Sequence, residues 1–239
     1  MVVRFNVITI FPDYFSPLNI SLLGKAQGSG LITVRTVNLR NFASAPHFSV
    51  DDTPYGGGAG MVMRADILAD AVDSVLVPGS KLVFLTPSGQ KFTQQVAEAF
   101  ATTTPQVADS DITLVCGRFE GFDVRVQEYY ELQDDVEVLG ISIGDYVLCG
   151  GEVAALVIIE AVVRLVPGVL GNPQSLAEES YQLDSNGQEL LEYPNYTRPA
   201  NFRDLEVPSV LLSGNHEKIR EWRHEQAVKK TNDALLNRF

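Results

Sequence analysis

Cysteine is scarce in this chain. Cys116 and Cys149 are its only two, far apart and without a CxxC spacing. That argues against a disulfide framework and fits a reduced, cytoplasmic protein. The three histidines, His47, His216 and His224, show no ligand spacing such as HExxH, so a metallohydrolase is a poor fit. No run of 18 apolar residues exists. The most apolar stretch, Val153–Val166, is broken by Glu160 and Arg164, which argues against a membrane span. Met1–Ile10 carries a short apolar run without a small-residue cleavage site, and Pro12 and Asp13 interrupt it, so it reads as a first strand and not a signal peptide. Nucleotide fingerprints are missing too. Gly24-Lys25 is followed by Ala26, which breaks a P-loop, and no GxGxxG follows a strand. There are no internal repeats or low-complexity tracts.

Net positive charge is also lacking: the formal charge is −12, which by itself argues against a nucleic-acid partner. The charge is unevenly spread, however. Residues 198–239 hold eight Lys+Arg and six Asp+Glu, a mildly basic segment on an acidic body. Such a segment can still meet phosphate.

What the chain does have is 239 residues, 45% of them hydrophobic, enough for one large domain or two modest ones. It also has glycine in clusters. The stretch Gly140–Glu152 (GISIGDYVLCGGE) holds four glycines and runs into the apolar segment Val153–Val163. Each glycine costs a helix roughly 1 kcal/mol against alanine, so the stretch reads as a tight loop with exposed amides, followed by a helix from Gly151 to Arg164. On glycine content alone it is a strand–turn–helix corner.

Its surroundings add to that. Arg4–Ile10 reads as a strand, Tyr14–Ala26 as a helix and Leu31–Val37 as a strand, the rhythm of a parallel sheet. Asp51–Met61 (DDTPYGGGAGM) is a loop whose glycines allow unusual dihedrals or close approach. Helices follow over Arg64–Leu76 and Gln90–Ala101, with strands over Lys81–Thr86, Asp111–Cys116 and Val136–Ile143. These three strands each run into a glycine-bearing turn: Thr86-Pro87-Ser88-Gly89, Gly117–Asp123 and the Gly140–Glu152 loop. Ligands bind at the carboxyl ends of parallel strands, so the three turns can wall one pocket. Gln174–Gln188 is polar, acidic and aperiodic, an exposed linker that marks a domain boundary. Glu217–Asn237 reads as a helix. The two cysteines read as small buried fillers beside the glycine loops.

Seven stretches together resemble the bacterial tRNA (guanine-N1)-methyltransferase family of the knotted, S-adenosylmethionine-dependent type. They are Asp51–Met61, Thr86–Gly89, Cys116–Asp123 (CGRFEGFD), Ser142–Glu152 (SIGDYVLCGGE), Arg164–Asn172 (RLVPGVLGN), Tyr196–Pro199 (YTRP) and Leu211–His216 (LLSGNH), in family order along nearly the whole chain. The resemblance implies an α/β fold: a parallel-sheet domain over residues 1–171 with a deep C-terminal trefoil knot that binds S-adenosyl-L-methionine. A flexible linker would follow over 172–192, then a small, mainly helical C-terminal domain over 193–239. It also implies a homodimer with active sites at the subunit interface, tRNA as partner, no membrane association and no resident metal, and it leaves open a requirement for Mg²⁺.

Carried over position by position, the donor site would comprise Phe84, Leu85, Thr86 and Pro87; Gly117, Phe119, Glu120 and Gly121; and Ser142, Ile143, Gly144, Asp145, Tyr146, Val147, Leu148, Gly150 and Gly151. Phe119 stands where the family commonly has tyrosine, and Ala59 where it often has proline. The tRNA contacts implied are Asp51, Gly58, Gly60, Arg198, His216, Arg220 and Arg223, with Arg203, Lys218, Lys229 and Lys230 as further phosphate candidates. Arg164 matches the arginine that would face guanine O6; read locally it only stabilises the end of its helix. The general base falls on Glu179 counting forward from Val166–Gly171. Counting back from Leu190–Pro194 it falls on Asp184. The resemblance thus implies transfer of a methyl group to N1 of the guanosine 3′-adjacent to the anticodon. A knotted 2′-O-ribose methyltransferase and a non-catalytic tRNA-binding module are the competing readings.

Overall fold

The structure is a computed structural model and describes residues 2–102, 110–172, 179–183 and 187–236, without the side chains of Gln182 and Leu183. The chain falls into two compact units, Met1–Gly171 and Asn172–Phe239.

The first unit is built on a five-stranded sheet. Its strands are β1 (Val3–Thr9), β2 (Ile32–Asn38), β5 (Lys81–Lys91), β6 (Ser110–Cys116) and β7 (Glu137–Ser142). They are all parallel, in the order β2-β1-β6-β5-β7. A short antiparallel pair, β3 (Asp51–Asp52) and β4 (Val62–Met63), closes the base of the glycine-rich loop between them. Strand β6 buries six of its seven residues, because helices cover both faces of the sheet and leave neither to water. One face carries α1 (Ser21–Gly28), α3 (Gln94–Ala101) and α5 (Glu152–Val163), packed on Val3, Phe5, Val7, Leu114 and Ile141. The other carries α2 (Ala65–Asp73) and α4 (Val124–Glu131), packed on Ile8, Leu82, Phe84 and Val115. Helix α5 is apolar on nearly every side and returns from the sheet edge to pack against β1, β6 and α3.

Two sequence expectations shift. The single helix expected over Tyr14–Ala26 is instead a 3₁₀ turn, Pro12–Asn19, followed by α1. Pro17 lies inside the 3₁₀ segment, supplies no N–H and favours that tighter, shorter form. The strand expected to stop at Thr86 continues to Lys91. Its pairing with β7 breaks after Leu85 and resumes at Gln90, so Thr86-Pro87-Ser88-Gly89 is a bulge in β5 and not a strand-to-helix turn. At Gly89 a Cβ would collide with the Gly140 carbonyl carbon, so only glycine lets the two strands close again. Helix α3 accordingly starts late, capped by the Thr93 hydroxyl, which accepts from Val96 N–H.

In the second unit, β8 (Gln182–Leu183) pairs antiparallel with β9 (Glu189–Leu190), and β10 (Asn201–Phe202) with β11 (Leu205–Glu206). The short α6 (Ser209–Leu212) precedes the 21-residue α7 (His216–Leu236), which is capped by Asn215 Oδ1 accepting from Lys218 N–H. Part of the stretch expected to be a linker is thus built into this unit. Leu191 N–H donates to Thr231 Oγ1 on α7, and Glu192 N–H to Ser180 Oγ. Among the described residues no helix is long and apolar enough to cross a membrane.

Candidate active site

At the bulge in β5 and the carboxyl ends of β6 and β7 lies a cavity of about 250 Å³. Its walls are the β5 bulge (Thr86, Pro87), the turn after β6 (Gly117–Phe122) and the loop between β7 and α5 (Ile143, Gly144, Tyr146–Gly151). Fifteen of the seventeen residues that the resemblance assigned to the donor line it.

Phe84 and Asp145 do not. Side chains alternate across a strand, so Leu85 faces the cavity while Phe84 points to the opposite face of the sheet. There its ring centroid sits 4.8 Å from that of Phe122. The Asp145 carboxylate turns outward to the Lys91 ammonium, 2.6 Å away. Sequence reasoning in turn missed five lining residues: Arg118, Phe122, Ile141, Cys149 and Ala154. Arg118 and Phe122 stand inside the CGRFEGFD motif, and Ile141 is the last apolar residue of β7 before the loop. Cys149 is also a correction. Cys116 is fully buried, but Cys149 is exposed and forms part of the cavity wall. Burial pushes the Cys116 thiol well up, with the nearby Glu152 charge adding to the effect.

The loops are shaped by their own hydrogen bonds, so several amides expected to be exposed are already engaged. Ser142 Oγ donates to Gly144 O and accepts from Gly144 N–H. Gly151 N–H donates to Gly117 O at 2.9 Å, and Gly121 N–H to Arg118 O. A Cβ on Gly151 would stand 2.8 Å from Cys116 Cα, so the start of α5 lies directly on the end of β6. Phe119 holds a left-handed backbone, with φ of 58°, and its ring is about half exposed at the mouth.

Beneath the cavity is a buried polar cluster. Glu152, fully buried, accepts from Thr9 Oγ1 and from Arg118 Nε, each at 2.8 Å. Arg118 also donates to Cys149 O, and its guanidinium carbon lies 4.7 Å from the Phe11 ring centroid and 5.4 Å from that of Tyr14. Three segments distant in sequence, Thr9–Tyr14, Arg118 and Cys149–Glu152, are tied together there.

The glycine-rich loop is joined to the same turn. Met63 N–H donates to Gly121 O, Glu120 N–H to Met61 O and Asp123 N–H to Met63 O. A Cβ on Gly60 would collide with the Glu120 side chain, and Gly58 and Gly60 both have positive φ. Asp51 pairs with Met63 across β3 and β4. An open groove lies alongside, edged by Arg64 with Asp66 and by Arg125 with Asp123. Hydrogen bonds from those arginines hold both carboxyls below the usual carboxylate range.

Arg164 is the half-buried C-cap residue of α5 and does not line the cavity. Glu179 is half-buried in the C-terminal unit, and Asp184 lies outside the described residues. Arg198 and Arg223 line one cavity of that unit, while His216, at the start of α7, and Arg220 are exposed. Among the described residues no three His, Cys, Asp or Glu side chains are grouped to hold a metal.

Comparison with known proteins gives this geometry a family. The model for tRNA (Guanine-1)-methyltransferase TrmD matches residues 3–238. A tRNA (guanine-N(1)-)-methyltransferase of Anaplasma phagocytophilum is 50% identical, over 98% of this chain and 97% of its own. Proteins of the same name from Lactobacillus delbrueckii subsp. bulgaricus and Dictyoglomus turgidum are 50% and 48% identical over 95% of this chain, covering 84% and 86% of theirs. The chain belongs to the tRNA (guanine-N1)-methyltransferase family.

Proposed function

We propose that this chain transfers the methyl group of S-adenosyl-L-methionine to N1 of the guanosine that follows the anticodon on its 3′ side, position 37 of tRNA. The observation that carries the reading is the family match from residue 3 to residue 238. The cavity supports it. Its apolar lining (Leu85, Ile141, Leu148 and Ala154) suits a purine ring and a thioether chain, and its glycine turns leave backbone where side chains would intrude. When bound there, the donor supplies a methyl group on a positively charged sulfur.

The protein's own task concerns the guanine. N1 carries a proton and is a poor nucleophile until that proton leaves. A carboxylate positioned at N1 removes it, a contribution of roughly 10²- to 10⁴-fold. Glu179 is our assignment for that base, with Asp184 as the alternative. As the proton leaves, negative charge grows on O6. The Arg164 guanidinium is assigned to stabilise it, a fixed cation aimed at charge that develops only during reaction. The tRNA contacts are assigned to Asp51, Gly58 and Gly60 and to the basic residues Arg198, His216, Arg220 and Arg223.

The finer architecture belongs to the same reading. The trefoil knot is supported by the path of α5, which leaves the β7 edge and returns beneath β6 so closely that Gly151 admits no side chain. A homodimer is supported by Val153 and Val157, apolar residues that stay exposed on α5. We also propose that residues 193–239 act as a tRNA-binding domain, that Mg²⁺ assists activity, and that the protein works in the cytoplasm with its tRNA. The test is methyl transfer from labelled donor to tRNA. Label is expected in tRNA carrying guanosine 37 and absent when that guanosine is replaced; equal labelling of both would overturn the reading.

A further inference from the structure

The C-terminal unit contains a cavity of about 350 Å³. It lies between segment 193–200 and helices α6 and α7, and its size falls within the range of ligand pockets, ~300–1,000 Å³. Tyr196 and Trp222 line it with ring centroids 6.2 Å apart and planes tilted by 56°. The Arg223 guanidinium lies 4.6 Å from the Tyr193 ring centroid, and Arg198 adds a second cation. Among the described residues no carboxylate lines this cavity, although the whole chain carries 30 Asp+Glu against 18 Lys+Arg. Flat aromatic faces beside delocalised cations are what an unstacked nucleobase and its phosphate require. A phosphate alone has no use for three aromatic rings, and an apolar peptide side chain has none for two arginines.

We infer that this cavity is a subsite for one unstacked nucleobase of the RNA substrate. The inference rests on tRNA being that substrate, and it gives the C-terminal unit a stacking contact beyond phosphate attraction.

Trp222 is the single tryptophan of the chain, so its emission reports on this cavity alone. Titrating the full-length protein with a mixed-sequence single-stranded RNA hexamer should quench that emission saturably. A hexamer with the same phosphates but no bases should leave it unchanged. Equal quenching by both, or by neither, would overturn the inference. So would emission that follows protein concentration without RNA, which would assign the cavity to contact between copies of the chain. Tyr196→Ala should weaken tRNA affinity by about 5- to 100-fold while the dependence on salt keeps its slope, and Tyr196→Phe should restore affinity. A slope reduced by about one unit with little loss at low salt would mean a phosphate contact instead. Binding of S-adenosylhomocysteine reads the other unit. Its loss with quenching intact would sink the methyl-transfer reading and leave the base subsite standing.

Discussion

Arg118 Nε lies 2.8 Å from Glu152 Oε2, and this ion pair joins the turn after β6 to the first turn of α5. The Arg118 side chain is 15% exposed and that of Glu152 not at all, so neither charge is well solvated. Removing one partner of such a pair leaves an uncompensated charge and costs about 3–5 kcal/mol. Glu152→Gln is therefore expected to lower the unfolding free energy in urea by about 3 kcal/mol. Changing both residues together should cost less than the sum of the single changes, and strict additivity would show that the pair is not coupled.

Gly151→Ala tests how closely the two cavity walls approach. The added Cβ would stand 2.8 Å from Cys116 Cα and 3.1 Å from Gly117 N, all backbone that cannot swing aside. We expect a loss of roughly 1–3 kcal/mol in stability from overpacking. Binding of S-adenosylhomocysteine, followed by calorimetry, should weaken at least about tenfold, since a loss of 1.4 kcal/mol is a factor of ten. Gly28→Ala, whose Cβ would meet open space, should leave binding unchanged.

Tyr130 gives the fold an alkaline limit. Its hydroxyl donates to Asp73 Oδ1 at 2.6 Å and to Ala69 O, tying α4 to α2. Burial first, then Asp73, raises its pKa well above the usual tyrosine value. The folded state holds this proton more tightly than the unfolded state does. The contribution is complete below about pH 10, the unfolded value, and is lost as pH rises beyond it. Stability should fall above about pH 10, and Tyr130→Phe should flatten that fall. An unchanged profile in the variant would remove Tyr130 as its cause.

The base assignment separates cleanly by kinetics. Glu179→Gln is expected to reduce turnover by about 10²- to 10⁴-fold with donor affinity retained, and Asp184→Asn to have a small effect. Turnover that survives in the first variant and disappears in the second moves the role to Asp184.

Much of the sheet was legible in the chain because β6 and the first half of β5 are covered on both faces and read as apolar runs, while β1 alternates. The cavity was legible because its walls are glycine-bearing segments at Thr86–Gly89, after β6 and after β7. The β5 bulge was not, since proline and glycine at Thr86–Gly89 look the same in a turn as in a strand that leaves and rejoins its partner. The Phe84 side chain does not line the cavity because it lies one residue before Leu85, which on a strand reverses the face. Glu152 read as the tail of a glycine motif. Its partners Thr9 and Arg118 stand 143 and 34 residues away, and no local pattern encodes a pairing made only by the return of α5 across the sheet.

The central claim concerns which atom receives the methyl group. The purified protein, S-adenosylmethionine and a tRNA with guanosine at position 37 can be incubated, and the tRNA then digested to nucleosides and resolved by mass spectrometry. The account predicts 1-methylguanosine as the new product, mapped to position 37. Methyl found on a ribose 2′-oxygen, or no methylated nucleoside at all, would contradict it.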